Sequence, residues 1–264
     1  EQIGENTIGQ SSLPGVKKII VVASGKGGVG KSTVATNIAV ALSLLDENIS
    51  VGLCDCDLYG PSIPLMFGQE SARPTATDEN EIIPIESHGI KLMSMGFLLD
   101  DSSPVIVRGP LATRYTQQFL TGCLWGDLDY LVLDLPPGTG DIQLTIAQSV
   151  SVDGAVIVTT PQEMALIDAR KAASMFAKVN VPILGIVENM SYFLCPSDGE
   201  KYAIFGQGGG EKESARLGVP LIGQIPIEMQ TREAGDSGNP IALGESETAK
   251  EFKNVAEKII ASLN

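Results

Sequence analysis

The chain has little positive charge: 18 Lys and Arg stand against 32 Asp and Glu in 264 residues, a formal net charge of −14. Nucleic-acid binding rests on neutralising phosphates, so no DNA or RNA partner is expected, and any anionic ligand must be held by local backbone geometry. Cysteine is scarce too. Cys54, Cys56, Cys123 and Cys195 are too few for a disulfide framework and match no zinc spacing, which points to a reducing compartment, the cytoplasm or an organellar matrix. No apolar run reaches the roughly 18 residues of a membrane span, and residues 1–10 lack the charged-then-apolar order of a secretion signal, so no stable membrane association is expected. The single histidine, His88, sits in a Ser-His-Gly turn and reads as a surface residue rather than a catalyst.

What is present is enough to fold. Hydrophobic residues make up 43% and charged residues 19%, a balance that excludes disorder over most of the chain. Apolar runs at 18–23, 50–54, 130–135, 154–160, 182–187 and 221–225 alternate with helix-period segments at 31–45, 112–121, 141–149, 163–179 and 247–263. Continuous apolar strands such as IIVVA and GAVIVTT are covered on both faces, so the pattern predicts a mostly parallel sheet flanked by helices on both faces, a three-layer α/β domain. Residues 81–98 break the rhythm. Pro84 and the Ser87-His88-Gly89 turn predict an antiparallel hairpin at a sheet edge. One domain over 15–264 with a flexible leader at 1–14 is the economical division, and a start at Glu1 rather than Met suggests a processed or excised piece.

The strand at 18–23 runs into Gly25-Lys26-Gly27-Gly28-Val29-Gly30-Lys31-Ser32-Thr33, which satisfies the phosphate-loop pattern G-x-x-x-x-G-K-[ST] and opens a helix. At average residue usage the bare pattern arises in about one chain in a hundred of this length, so coincidence is a weak explanation. Its glycines let backbone N–H groups turn inward around a polyphosphate, and the helix N-terminus adds its dipole. Lys31 then meets the β and γ phosphates while the Ser32 hydroxyl ligates Mg²⁺. An ATP/ADP and Mg²⁺ site is predicted here.

Two carboxylate positions complete the arrangement. Asp55 and Asp57 follow the strand at 50–54, where open α/β sheets place ligands, although a turn or helix-cap pair would look the same. Asp134 ends the apolar strand YLVLD, where a carboxylate is costly without a metal or hydrogen-bond partner, so it is expected to hold a Mg²⁺-bound water.

Taken together, GKGGVGKST, DCDLYGPSIP, YLVLDLPPGTGD, VTTPQEMALIDARKA, GIVENMSYF and the segment from Ile204 to Ile241 resemble the Mrp/Nbp iron-sulfur cluster carriers, within the deviant Walker A group that includes MinD, ParA and the nitrogenase iron protein. The resemblance runs from Val16 to Ile241. It implies a P-loop ATPase working slowly as a homodimer, with Lys26 reaching the partner's nucleotide, Asp57 as the switch I aspartate that orients water, and Gly138 in switch II sensing the γ-phosphate. It assigns base binding to Asn189, Pro226, Ile227 and Glu228, each of which also reads as an ordinary cap or turn residue. It further implies transfer of a 4Fe-4S cluster, bridging the dimer, to iron-sulfur apoproteins or assembly factors. The family carries C-P-x-C after MSYF, whereas this chain has Cys195-Pro196-Ser197-Asp198, so the resemblance implies a cluster held by two Cys195 thiolates and two Asp198 carboxylates, a harder set than four thiolates. A MinD/ParA-like ATPase switch, or a carrier fold without its cargo, therefore stays open beside the carrier reading.

Overall fold

In β1 (Val16–Ala23) the apolar run divides by alternation: Ile20 and Val22 enter one buried cluster, Ile19, Val21 and Ala23 another. That period of two inside a continuous hydrophobic strand is what a sheet between two helix layers requires. The computed structural model describes residues 12–98 and 109–264, with backbone alone for 109–113. The remaining strands are β2 (Val51–Asp55), β3 (Thr75–Ala76), β4 (Ile82–Ile83), β5 (Ile85–Ser87), β6 (Ile90–Ser94), β7 (Leu128–Asp134), β8 (Gly154–Thr159), β9 (Ile183–Glu188), β10 (Phe193–Leu194), β11 (Lys201–Tyr202) and β12 (Leu221–Gln224). The helices are α1 (Lys31–Leu44), α2 (Ile63–Met66), α3 (Gly109–Gly122), α4 (Asp141–Ser149), α5 (Glu163–Lys178), α6 (Gly209–Leu217), α7 (Met229–Asp236) and α8 (Glu247–Leu263).

Eight strands form one sheet in the order β12-β9-β8-β1-β7-β2-β6-β5, parallel throughout except for β5 at the edge. Helices α1 and α8 cover one face, and α3, α4 and α5 supply buried residues on the other. Helix α1 is buried along nearly all its length from Val34 to Leu42, as a helix without a polar face must be. Its one deep amide, Asn37, is satisfied by donating to Thr33 O at 2.9 Å and accepting from Ala242 N at 2.9 Å. Helix α8 starts at Ser246, whose hydroxyl accepts from Ala249 N, and buries Phe252, Val255 and Ile259. At about 1.5–3 kcal/mol for each such side chain, this amphipathic segment belongs to the core and not to a membrane surface. Among the described residues no helix is long and apolar enough to cross a membrane.

The expected edge hairpin is present but shorter than 81–98. Ile85↔Leu92 and Ser87↔Ile90 pair β5 with β6 around His88 and Gly89, both at positive φ, as a tight two-residue turn demands. Residues 82–83 join β3 in a separate two-stranded sheet instead, divided from β5 by Pro84. His88 is exposed, with Nε2 3.1 Å from Gly238 O. Three helices lie outside the expected segments: α2 is a single turn, α6 opens on a glycine run and α7 buries no residue, so none carries an apolar period. The helix expected from 112 begins at Gly109. Of the leader, residues 1–11 lie outside the described residues, and Leu13 is buried in the core beneath β1.

Candidate nucleotide and cluster site

Every candidate residue lies beyond the carboxyl ends of the parallel strands. The phosphate loop follows β1, Asp55 ends β2, Asp134 ends β7 and Asn189 follows β9. Within the loop, Gly28 and Gly30 have φ of 82° and 77°, the left-handed region that glycine enters without penalty. A cavity of about 260 Å³ is lined by Lys26, Gly27, Gly28, Gly30, Lys31, Ser32, Thr33 and Asp57. Gly25 and Val29 act differently. Val29 packs in the core, and a Cβ on Gly25 would overlap the carbonyl of Asp168 on α5. Because that obstacle is backbone, Gly25→Ala is expected to lower stability by about 1–3 kcal/mol, read as the urea midpoint; an unchanged midpoint would mean that α5 yields freely. Lys26 is half-buried at the cavity mouth and has no ion-pair partner among the described residues.

Lys31 Nζ is ion-paired with Asp134 Oδ1 and lies 3.3 Å from Ser32 Oγ. Both partners are buried, at 5% and 0% side-chain exposure. Burial pushes the Asp134 carboxyl above its usual range, and Lys31 opposes the shift. Asp134 Oδ2 is buried with no hydrogen-bond partner. An orphaned carboxylate oxygen directly behind Lys31, with Ser32 and Asp57 lining the cavity in front of it, fits the oxygen donors that Mg²⁺ takes.

The structure separates the two aspartates that sequence left adjacent. Asp55 is buried and accepts from Asp57 N, Ser62 N, Ile63 N and Ser94 Oγ at 3.1–3.2 Å, so it folds the loop after β2. Burial first, then Asp134 beside it in register, pushes its carboxyl up to about 7. Asp57 instead lines the phosphate cavity and an adjoining cavity of about 440 Å³ shared with Pro136, Pro137 and Gln143. Gly138 has φ 106° and donates its N–H to Ser24 O at 2.9 Å, which ties switch II to the end of β1.

Asn189, Pro226, Ile227 and Glu228 come together as expected, around a mainly apolar cavity of about 480 Å³ that adjoins the phosphate cavity at Gly30, Thr33 and Met66. Asn189 is buried and donates Nδ2 to Val29 O at 2.9 Å. Its Oδ1 thereby stays available as an acceptor, suited to an exocyclic amino group rather than a carbonyl. Leu65, Met66, Phe205 and Arg232 complete the wall and were not singled out from sequence. They come from three separated segments, and only Phe205 and Arg232 stood in a stretch already noted, neither with a role.

Cys195 lies in the hairpin of β10 and β11, its Sγ 3.0 Å from Ser197 Oγ. It is the one cysteine not buried. Cys54 and Cys56 pack beneath Asp55 with sulfurs 4.0 Å apart, and the Cys54 thiol is pushed well up by its hydrogen bond with Cys56 and by burial. Burial pushes Cys123 up to about 12. These three are inert structural thiols. Asp198 commits both oxygens to the hairpin, accepting from Glu200 N and Tyr202 Oη at 2.9 Å each. The Glu200 amide, then Cys195 and Tyr202, hold its carboxyl below the usual range. Among the described residues no group of three or more His, Cys, Asp or Glu side chains is placed to hold a metal ion. Beside Cys195 lies a pocket of about 300 Å³ that includes Glu228 and Met229. The hairpin is anchored there by Ile227 N donating to Tyr192 O at 2.7 Å.

Known proteins similar to this chain bear on its family and its fold. A family model described as ParA, NUBPL iron-transfer P-loop NTPase, matches residues 15–260. An iron-sulfur cluster carrier protein of Aquifex aeolicus is 51% identical over 251 residues, spanning 94% of this chain and 68% of its own. One from Escherichia coli strain K12 is 50% identical over 256 residues, spanning 96% and 69%. Among solved structures, a nucleotide-binding protein in complex with ADP from Archaeoglobus fulgidus has a TM-score of 0.80 at 38% identity, covering 95% of this chain and 98% of that one. The cell division ATPase MinD of Pyrococcus furiosus has a TM-score of 0.70 at 27% identity, covering 92% and 98%.

Proposed function

Because the chain belongs to the iron-transfer P-loop NTPases of the ParA/NUBPL family, we propose that it is an ATP-hydrolysing homodimeric carrier of the cytoplasm or an organellar matrix, holding an iron-sulfur cluster at Cys195 for transfer to apoproteins or assembly factors. One observation carries this reading: Glu228 lines both the base cavity and the pocket beside Cys195, and Ile227 is bonded to the hairpin that bears the cysteine. A nucleotide seated against Pro226–Glu228 therefore presses on the same segment that supports the cargo. The chain couples its two ligands through one wall.

The residues divide the work. Backbone amides of 25–33 and Lys31 hold the phosphates, and Asn189 Oδ1 accepts from the adenine amino group. Mg²⁺, when bound, would neutralise charge on the phosphates. Ser32, Asp57 and Asp134 are the residues that would hold it, Asp134 through the oxygen that has no partner. Asp57 orients the attacking water from the cavity it lines, and Lys26, which has no ion-pair partner among the described residues, supplies charge to the nucleotide of a second copy. Two Cys195 thiolates, one from each copy, are the soft ligands that iron prefers. The commitment of Asp198 to its hairpin favours a second reading, an ATP switch of the same fold without cargo.

The deciding experiment is anaerobic reconstitution of the purified chain with iron and sulfide, followed by transfer to an apo-ferredoxin with and without MgATP. About one cluster per two chains is expected, with transfer altered by MgATP. A chain that hydrolyses ATP and stays colourless would leave the switch.

A further inference from the structure

Switch II, residues 135–141, contains Pro136 and Pro137, which have no backbone N–H, and the N–H groups of Leu135 and Gly138 donate outside the loop, to Val22 O and Ser24 O. Its polar groups are satisfied from outside. Gln143, on the first turn of α4, is 7% exposed and reaches back over the loop. Its Nε2 donates to Pro137 O at 2.7 Å and to Pro136 O at 3.4 Å, and its Oε1 accepts from Gly140 N at 2.9 Å. The same side chain lines the cavity that Asp57 and Pro137 share. Pro137 also lines the phosphate cavity, beside Gly27.

We propose that Gln143 is the positioning residue of switch II: by clamping the Pro137 carbonyl and the Gly140 amide it fixes the loop that runs from Asp134 past the phosphate cavity. The proposal rests on the ATPase reading above. Part of the arrangement is a helix cap, because Gln143 is the third residue of α4 and accepts from the Gly140 N-cap amide. Glutamate does that job equally well and suits the helix dipole. Only the amide can also donate to Pro136 and Pro137. A carboxylate would face those two carbonyl oxygens with no proton to offer, so glutamine at this position answers to the loop and not to the helix.

Gln143→Glu separates the two roles, and Gln143→Ala removes both. In the 264-residue chain, Gln143→Glu should keep the KM for ATP while kcat falls at least about tenfold, as loss of positioning does. Its thermal midpoint falls less than that of Gln143→Ala only if the cap outweighs the carboxylate set against the Pro136 and Pro137 carbonyls. Hydrogen exchange adds a readout that needs no hydrolysis. In Gln143→Glu the Gly138 amide, bonded to Ser24 O, should exchange faster while Gly140 stays protected; in Gln143→Ala both should exchange faster. Wild-type kcat in Gln143→Glu would overturn the proposal and leave a cap alone, as would a rise in KM that accounts for the whole loss. If the unsubstituted chain hydrolyses no ATP, the ATPase reading fails, and exchange then decides the clamp: faster Gly138 exchange in Gln143→Glu supports it, unchanged exchange overturns it.

Discussion

Lys31→Met is expected to destabilise the chain by about 3–5 kcal/mol, a large part of the roughly 5–15 kcal/mol that holds a domain together. Lys31 and Asp134 are both buried, and one oxygen of Asp134 already lacks a partner. Removing the cation leaves a carboxylate with no counter-charge and no route to water. The loss should depend on pH in a defined direction. Burial already raises the folded carboxyl above its unfolded value near 3.9, and without Lys31 nothing opposes the shift. The folded state then binds more protons than the unfolded state between those two values. Stability of the variant therefore falls as pH rises through that window and recovers on acidification. Adding Asp134→Asn to Lys31→Met should restore most of the urea midpoint at neutral pH without restoring ATP binding, because the phosphates still lack their cation. A Lys31→Met chain as stable as the parent would show that the pair is energetically uncoupled.

The second large effect concerns cargo. Cys195→Ala should reduce reconstituted iron and sulfide to background while leaving the thermal midpoint nearly unchanged, since the side chain's polar contacts, to Ser197 and Asp198, lie in an exposed loop of the hairpin. Asp198→Cys should do the opposite and lengthen cluster retention, because a second thiolate restores the paired soft ligands that hold such clusters. Losing the bonds from Glu200 N and Tyr202 Oη loosens the hairpin at a fully exposed position, so the gain in ligation should outweigh the loss of order. Equal iron in Cys195→Ala and the parent would place any cluster elsewhere. The buried and strongly raised Cys54 and Cys123 are poor substitutes, because metal ligation requires the thiolate.

How much of this was legible in sequence differs from residue to residue. The phosphate loop was readable outright, because Gly28, Gly30, Lys31 and Ser32 act within one turn of backbone and their spacing is their geometry. Asp134 was readable for a different reason: a charge ending a wholly apolar strand has to have a partner. Asp57 was preferred to Asp55 by resemblance alone. The physical distinction came from the fold, where Asp55 meets four donors that lie up to 39 residues away and Asp57 meets none of them except through its own amide. The wall of the base cavity was only half visible. Asn189 and Pro226 stood in recognisable motifs, whereas Met66 and Arg232 belong to α2 and α7, which are too short or too polar to announce themselves.

Sequence by itself determined the three-layer parallel sheet, the phosphate loop and the departure at Asp198, because each depends on residue type and on spacing within one segment. Tertiary structure alone decided that Asp198 is already engaged in folding its hairpin, that Gln143 bonds to the prolines after β7, and that the cavity around Asn189 and the pocket beside Cys195 share Glu228. Those facts join residues from different strands and helices. No local pattern encodes them, because what brings the partners together is the burial of the two helix layers against one sheet.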